Sequence, residues 1–218
     1  MDAARPDLFA IIIGVAAAGL VPFAAVTMTS FLKISVVLFL VRNALGTQQT
    51  PPNVVLYGIA IVLAAYVSAP LLGEVYARLT ADDADFASAA GLRRMAEGLA
   101  TPLREFLGRF AAEPEREFLL SAAGRVWPAE AAAAATRDDL TILIPAFVIS
   151  ELRRAFEIGF LLYLPFVVID LIVSNVLMAM GMVMVSPLVI SVPFKLALFV
   201  LVDGWSLLTH GLILGYAP

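Results

Sequence analysis

Residues 158–190, IGFLLYLPFVVIDLIVSNVLMAMGMVMVSPLVI, form an apolar run with a single charged residue, Asp170. A membrane-crossing helix needs about 20 residues, so this run is too long for one ordinary span. It is also too interrupted for one uniform helix, because Pro165, Gly181 and Pro187 all disfavour regular helix. Interrupted helices occur at membrane depth where they pack within protein or line a water-filled cavity.

The composition of the whole chain departs from that of a soluble protein. Of its 218 residues, 61% are hydrophobic and 15% are charged, and the mean hydropathy is +0.95. A soluble domain has about 45–50% apolar and about 25% charged residues, so a core alone cannot absorb this excess. We therefore expect a protein that contacts membrane lipid, or a subunit that hides its surface against partners. The net charge of −4 provides no basic field for a nucleic-acid partner.

The sequence gives no support for catalysis or for a bound cofactor. The chain has no cysteine and one histidine, His210. A Ser-His-Asp relay or a multi-histidine metal site would depend on that residue alone. The sequence contains no glycine-rich phosphate loop, nucleophile elbow or metal-ligand spacing. We expect a protein that is not an enzyme and that holds no metal and no cofactor.

The charged residues divide the sequence into three regions. Residues 73–141 hold 12 of the 18 acidic residues and 8 of the 14 basic ones. Their apolar residues recur at three- to four-residue spacing, which predicts a polar, net-acidic helical insert, expected on the periplasmic side. Residues 1–72 are predicted to form an N-terminal hydrophobic helical hairpin region, and residues 142–218 a C-terminal hydrophobic helical region.

The sequence predicts an all-α fold, because no alternating strand pattern occurs anywhere. We expect membrane-associated helical hairpins with interrupted hydrophobic helices, in addition to the polar insert. The last hydrophobic helix is expected over residues 194–214, just after Pro193. Arg42 favours a cytoplasmic first turn, whereas Arg153 and Arg154 oppose that topology.

Charged residues within apolar sequence are the clearest candidate site residues: Lys33, Asp170, Lys195 and Asp203. Such a charge costs about 3 kcal/mol on insertion scales, so it should pair, snorkel or line water. The residues alone leave open whether these charges are structural or take part in transport or assembly. Asp203, followed by Gly204-Trp205, can also mark the end of a span. Glu151 begins a mixed-charge stretch, which is either a self-paired solvated helix face or a contact between subunits.

Methionine is concentrated just before the Ser186-Pro187 pair, at Met178, Met180, Met182 and Met184. On a continuous helix these side chains would divide between two faces. If Gly181 and Pro187 break the helix into a loop, Met182 and Met184 can point the same way. Thioether side chains are flexible and polarizable, so the cluster is either ordinary core packing or the closure of an irregular aperture that yields when something passes.

Three groups of residues together resemble a known family. They are residues 29–34 (TSFLKI) with 42–53 (RNALGTQQTPPN); residues 145–152 (PAFVISEL), 155–160 (AFEIGF) and 163–171 (YLPFVVIDL); and residues 178–187 (MAMGMVMVSP), 193–196 (PFKL) and 201–205 (LVDGW). In order and spacing they resemble the export-gate R subunit of type III secretion systems (SctR, YscR and HrcR) and its flagellar counterpart, FliP. The resemblance covers roughly residues 8–75 and 140–215.

The resemblance implies a subunit of a protein-export channel in the bacterial inner membrane that conducts unfolded secreted proteins. Five R copies would assemble with S and T partner subunits, and bent helical hairpins would pack largely at the periplasmic side of the membrane. Met182, Val183 and Met184 would form the pore-facing gasket. Glu151 and Lys195 would pair between neighbouring subunits, which replaces the self-paired interpretation of Glu151.

The sequence departs from the flagellar pattern, which has three consecutive methionines at the gasket positions. Val183 is β-branched and stiffer than methionine. The Ser186-Pro187 pair that ends the methionine-rich stretch favours a virulence-type system, as does the start of the chain, where Asp2 and Asp7 are untypical of a signal peptide.

The alternative from another class of protein is a small multi-span ion or solute transporter with Asp170 and Lys195 in its path. A purely structural membrane scaffold is the third interpretation.

Overall fold

The computed structural model describes residues 8–47, 49–80 and 89–217 as helices and their connections. The helices are α1 Leu8–Thr27, α2 Phe31–Leu45, α3 Asn53–Val67, α4 Ala69–Leu79, α5 Ala89–Phe110, α6 Glu113–Val126, α7 Ala129–Ala134, α8 Leu140–Ala179, α9 Pro187–Leu201 and α10 Gly204–Leu214. No strand occurs in these three ranges, so the predicted all-α fold is confirmed. Asp2 and Asp7, and residues 81–88 of the polar insert, lie outside the described residues.

The chain separates into two units that interleave along the sequence. The insert unit comprises Met1–Leu32 and Ser68–Glu151, and the hairpin unit comprises Lys33–Val67 and Leu152–Pro218. The boundary therefore falls inside α8. The three predicted regions follow charge along the sequence, whereas the units group residues by packing, so the boundaries of those regions stay a prediction.

The insert unit is built from helices, as the spacing of its apolar residues predicts. Helix α5 packs against α4 and also contacts α1. The centroid of the Phe106 ring lies 5.2 Å from that of Phe110 and 5.9 Å from that of Phe147, in an aromatic part of the core. Pro114 occupies the first turn of α6, where its missing N–H is not needed. Pro128 lies between α6 and α7.

Helix α2 supplies much of the core of the hairpin unit. Ile34, Val37 and Leu38 on this helix are completely buried. Helix α8 approaches α2 closely at Gly159, where an added Cβ would lie 2.2 Å from Cδ1 of Leu40. Because Cβ atoms do not approach other heavy atoms so closely, glycine is what permits this helix contact. Helix α10 packs against α9 and α3 in the same unit.

Helix α8 corrects one expectation, because it continues through Pro165 without a break. A proline removes one backbone hydrogen bond and costs about 3 kcal/mol in a helix interior. Ending a helix in apolar surroundings leaves several backbone groups without partners, which costs more. The interruption of the apolar run lies instead after Ala179, at Gly181.

The last hydrophobic segment also differs from the expected single helix. Helix α9 begins at Pro187 and contains Pro193, so the expected start after Pro193 is wrong. The axes of α9 and α10 are bent by 62° at the break between them. Asp203 lies at this break with a φ of +50°, in the left-handed region. A Cβ on Gly204 would lie 2.4 Å from the Phe199 ring, so a larger residue cannot follow the bend without moving that ring.

Among the described helices, α8 is the best candidate for a membrane span. By length and composition it is the one single helix among them that could cross a membrane, and an 18-residue stretch of it has a mean hydropathy of 2.2. The number rises to as many as three if α3 with α4, and α9 with α10, each form one bent span. Bent pairs of this kind agree with the prediction of interrupted hydrophobic helices.

Candidate functional site

The end of α8 is defined by a Schellman motif built on Gly181. The Met182 N–H donates to the Leu177 carbonyl at 2.9 Å, and the Gly181 N–H donates to the Met178 carbonyl at 3.0 Å. This pair of bonds satisfies carbonyls at the helix end and requires a left-handed residue between them, which Gly181 provides with a φ of +75°. The predicted break at Gly181 is therefore confirmed, and its cause is the backbone freedom of glycine.

An apolar loop, residues 180–186, connects this motif to α9. Ser186 has extended backbone, and Pro187 starts α9 in the first turn, where proline is favoured. Met182 is 43% exposed, Val183 is 83% exposed and Met184 is completely exposed. Three consecutive large apolar side chains with few neighbours in their own chain form a surface that favours burial against another molecule.

A buried ion pair joins α8 to α9 in the hairpin unit. Lys195 is 3% exposed at its side chain and its Nζ lies 2.7 Å from Oδ2 of Asp170, which is 26% exposed. Lys195 also donates to the carbonyl of Ala44 at 3.1 Å, where the last carbonyls of α2 have no helical partner. A cation at this helix end is further favoured by the helix dipole. The structure thus brings together two of the charges that the sequence singles out.

Ser191 completes the environment of the Asp170 carboxylate. Its hydroxyl donates to Oδ1 of Asp170 at 2.6 Å and also lies 3.1 Å from the Leu188 carbonyl. A hydroxyl has one proton, and the ionised carboxylate is the closer and stronger acceptor. Both carboxylate oxygens therefore have a partner. We name the four groups, from Ala44, Asp170, Ser191 and Lys195, the polar clamp.

Lys33 is the second buried lysine and lies near the start of α2. It is 2% exposed, and its Nζ lies 3.4 Å above the centroid of the Tyr216 ring. Tyr216 follows α10 and is itself buried. An aromatic face stabilises a desolvated cation through its quadrupole, so this contact offsets part of the burial cost of the lysine.

The other predicted site residues occupy different environments. Glu151 is completely buried, in the insert unit. Arg153 and Glu157, in the same mixed-charge stretch, form an exposed ion pair at 3.0 Å. Asp203 is exposed on the single chain, unlike the buried charge expected there, because it lies at the break before α10 and not inside a helix. The gasket assignment and the pairing of Glu151 with Lys195 between subunits stay predictions.

Sequence reasoning did not single out Ser191, the Ala44 carbonyl or Tyr216. Ser191 could have been found, because it lies four residues before Lys195 and therefore on the same face of α9. The Ala44 carbonyl is 151 residues from Lys195 in sequence, and no local pattern indicates that contact.

The fold and the site together define a membrane-associated helical protein that presents an apolar loop and pairs the buried Lys195 with Asp170. Residues 15–212 match the family model described as the FliP family, and the chain belongs to that family. The resemblance seen in the sequence is thereby confirmed.

Similar proteins extend this result over nearly the whole chain. The probable translocation protein y4yL of Sinorhizobium fredii (strain NBRC 101917 / NGR234) is 55% identical over 216 residues, which cover 99% of this chain and 97% of that protein. Yop proteins translocation protein R of Yersinia pestis is 49% identical over 212 residues, which cover 97% of each chain. Harpin secretion protein HrcR of Erwinia amylovora is 43% identical over 211 residues, which cover 97% of this chain and 96% of that protein.

Proposed function

We propose that this chain is a core subunit of a type III secretion export gate and forms part of a gated channel for unfolded proteins across the bacterial inner membrane. The exposed apolar loop at the end of α8, in a chain of the FliP family, is the observation that carries the proposal. Similar proteins named for Yop translocation and harpin secretion favour protein export over a small ion or solute transporter. The family forms part of a secretion apparatus, so we expect export energy to come from other components.

The proposed gasket consists of Met182, Val183 and Met184 from several copies of the chain. Apolar side chains that meet in a narrow pore exclude water and so block ions and small solutes. The methionine side chains are flexible enough to part around a passing polypeptide and close again. Val183 is β-branched, which restricts rotation about its χ1 bond, so it is expected to give the seal a stiffer position.

The proposed partners follow from the apolar surface that the single chain leaves uncovered. Phe156, Phe160, Leu164 and Val168 follow one another at four-residue spacing on α8 and are exposed. We expect this surface to contact further copies of the chain in a pentamer, the S and T export-gate subunits, and membrane lipid. The polar insert would lie on the periplasmic side, where we expect most of the assembly to form.

A pair between Glu151 of one subunit and Lys195 of the next belongs to the same proposal. Both side chains are buried in the single chain, and Lys195 already contacts Asp170. A second carboxylate near Lys195 is therefore added on assembly, with a rearrangement of at least one of the two side chains. A pair of this kind would stabilise the charges of Glu151 and Lys195 further when the adjacent subunit is in its correct position.

The experiment that tests the gasket replaces Met182 and Met184 by alanine together. We expect cells that carry the double variant with its secretion partners to become permeable to small solutes at rest, because the seal loses most of its apolar volume. Met178→Ala is the matched control, since that methionine is also exposed but lies within α8. Unchanged solute entry in the double variant, with normal amounts of assembled complex, would remove the basis of the gasket.

A further inference from the structure

Three of the four groups of the polar clamp lie on the two helices that carry the apolar loop. Asp170 is on α8, before the loop, and Ser191 and Lys195 are on α9, after it. The side-chain bonds from Ser191 and Lys195 hold the two helices together at one carboxylate. The bond from Lys195 to the Ala44 carbonyl attaches this point to α2 as well. Three helices of the hairpin unit are thus connected at a single, partly buried position.

Between the polar clamp and the apolar loop, α8 and α9 leave a space unfilled. An apolar groove of about 470 Å³, open to the surface of the single chain, is lined by side chains of α8 between Ile169 and Met180 and by Ile190 and Phe194 of α9. Leu177, whose carbonyl accepts the hydrogen bond that ends α8, also lines the groove. Close packing transmits position from one helix to another, and the side chains that face this groove lack such packing against the opposite helix. Side-chain packing in this part of the hairpin therefore does little to fix the distance between the two ends of the loop.

We infer that Ser191 and Asp170 are positioning residues that set the aperture of the apolar loop. The Asp170 carboxylate fixes the spacing and register of α8 and α9, and the loop takes its closed position from those two helices. Ser191 acts by holding Oδ1 of the carboxylate while Lys195 holds Oδ2. This inference rests on the proposed export-gate function and adds the residues that keep the gate closed.

The first test is Ser191→Ala in the assembled export complex, measured as resting conductance in planar bilayers. Loss of one hydrogen bond to an ionised group is expected to shift the closed-to-open equilibrium, and the resting conductance, by about tenfold. Ser191→Thr keeps the hydroxyl and should restore the wild-type value. Ser206→Ala is the matched control, because it removes the same atom from α10, outside the polar clamp. A merely structural role of Ser191 would change the amount of complex without changing the conductance of each one.

The second test is Asp170→Glu, which keeps both charges and lengthens the side chain by one methylene group. It should allow assembly and still raise the resting conductance, because the spacing between α8 and α9 changes. Wild-type conductance in assembled Ser191→Ala and Asp170→Glu complexes would overturn the inference. Failure of both variants to assemble would also overturn it, because a positioning role leaves assembly intact. If Met182→Ala with Met184→Ala raises the conductance while these variants do not, the gasket stands and only the inference fails.

Discussion

Replacement of Gly159 by alanine should destabilise the hairpin unit although alanine is the better helix former. A Cβ at this position would lie 2.2 Å from Cδ1, 3.2 Å from Cβ and 3.3 Å from Cγ of Leu40. The Cδ1 atom can move by a change of rotamer, but the Cβ of Leu40 moves only with the backbone of α2. The methyl group therefore pushes α8 away from a buried face of α2.

The size of the effect follows from two opposing terms. Extra volume in a packed contact costs about 1–3 kcal/mol, and the short distances here favour the upper end. Alanine gains about 1 kcal/mol over glycine in a helix interior. The net destabilisation is therefore about 2 kcal/mol. At Gly58 and Gly211, where no heavy atom lies within 4 Å of the added Cβ, only the favourable term of about 1 kcal/mol remains.

The assay is the free energy of unfolding of the purified chain in detergent, with Gly58→Ala and Gly211→Ala as matched controls. We expect opposite signs for Gly159→Ala and the two controls. Leu40→Ala removes the atoms that obstruct the new methyl group, so Gly159→Ala should cost less in a Leu40→Ala background than in the wild type. A Gly159→Ala variant that is as stable as the wild type, together with strictly additive effects, would refute the close contact between α8 and α2.

Two further predictions concern the buried lysines. Lys195→Glu should prevent assembly, because it places a carboxylate beside Asp170, and Glu151→Lys in the same chain should partly restore assembly. The mass of the native complex measures the amount assembled. If the double variant is well expressed but does not assemble, the pair between subunits is contradicted. Tyr216→Leu should destabilise the protein by about 2 kcal/mol through loss of the aromatic face above Lys33, whereas Tyr216→Phe, which keeps that face, should destabilise it less; equal unfolding free energies for the two variants would exclude a role of the ring.

Local signals in the sequence predicted the helix ends around the apolar loop but not the course of α8. Gly181 and Pro187 act through their own backbone preferences, so their effect is visible in the sequence. The effect of Pro165 depends on what surrounds the helix, because the alternative to a strained helix is unpaired backbone in an apolar environment. Asp203 lies at a helix break, in agreement with the interpretation that it marks the end of a span. The sequence around it does not indicate the close approach of Gly204 to the Phe199 ring at the 62° bend.

The candidate site was predictable as a set of charges and only partly as a set of contacts. Lys195 and Asp170 can be recognised as candidate site residues from the sequence, because a charge within apolar sequence is costly to bury. Their pairing could not be recognised, because the two residues are 25 positions apart and lie on different helices. The contact between Lys33 and Tyr216 joins the start of α2 to the residue after α10, and neither residue type indicates the other. Ser191 is intermediate, since helical spacing relates it to Lys195 although its acceptor lies on α8.

The hairpin unit is held together by close contacts of small residues and by polar bonds, the kinds of contact that join helices in apolar surroundings. Lipid chains are as apolar as leucine, so burial of leucine against leucine drives association weakly there, and small residues and polar bonds contribute more. The hairpin unit uses a glycine contact at Gly159, buried small residues at Ala60 and Ala64, and the polar clamp. Much of its remaining apolar surface faces outward, including Phe160 and Met184. Substitutions at the inward small and polar positions should therefore affect the fold of the single chain, whereas outward apolar substitutions should affect its contacts with subunits and lipid.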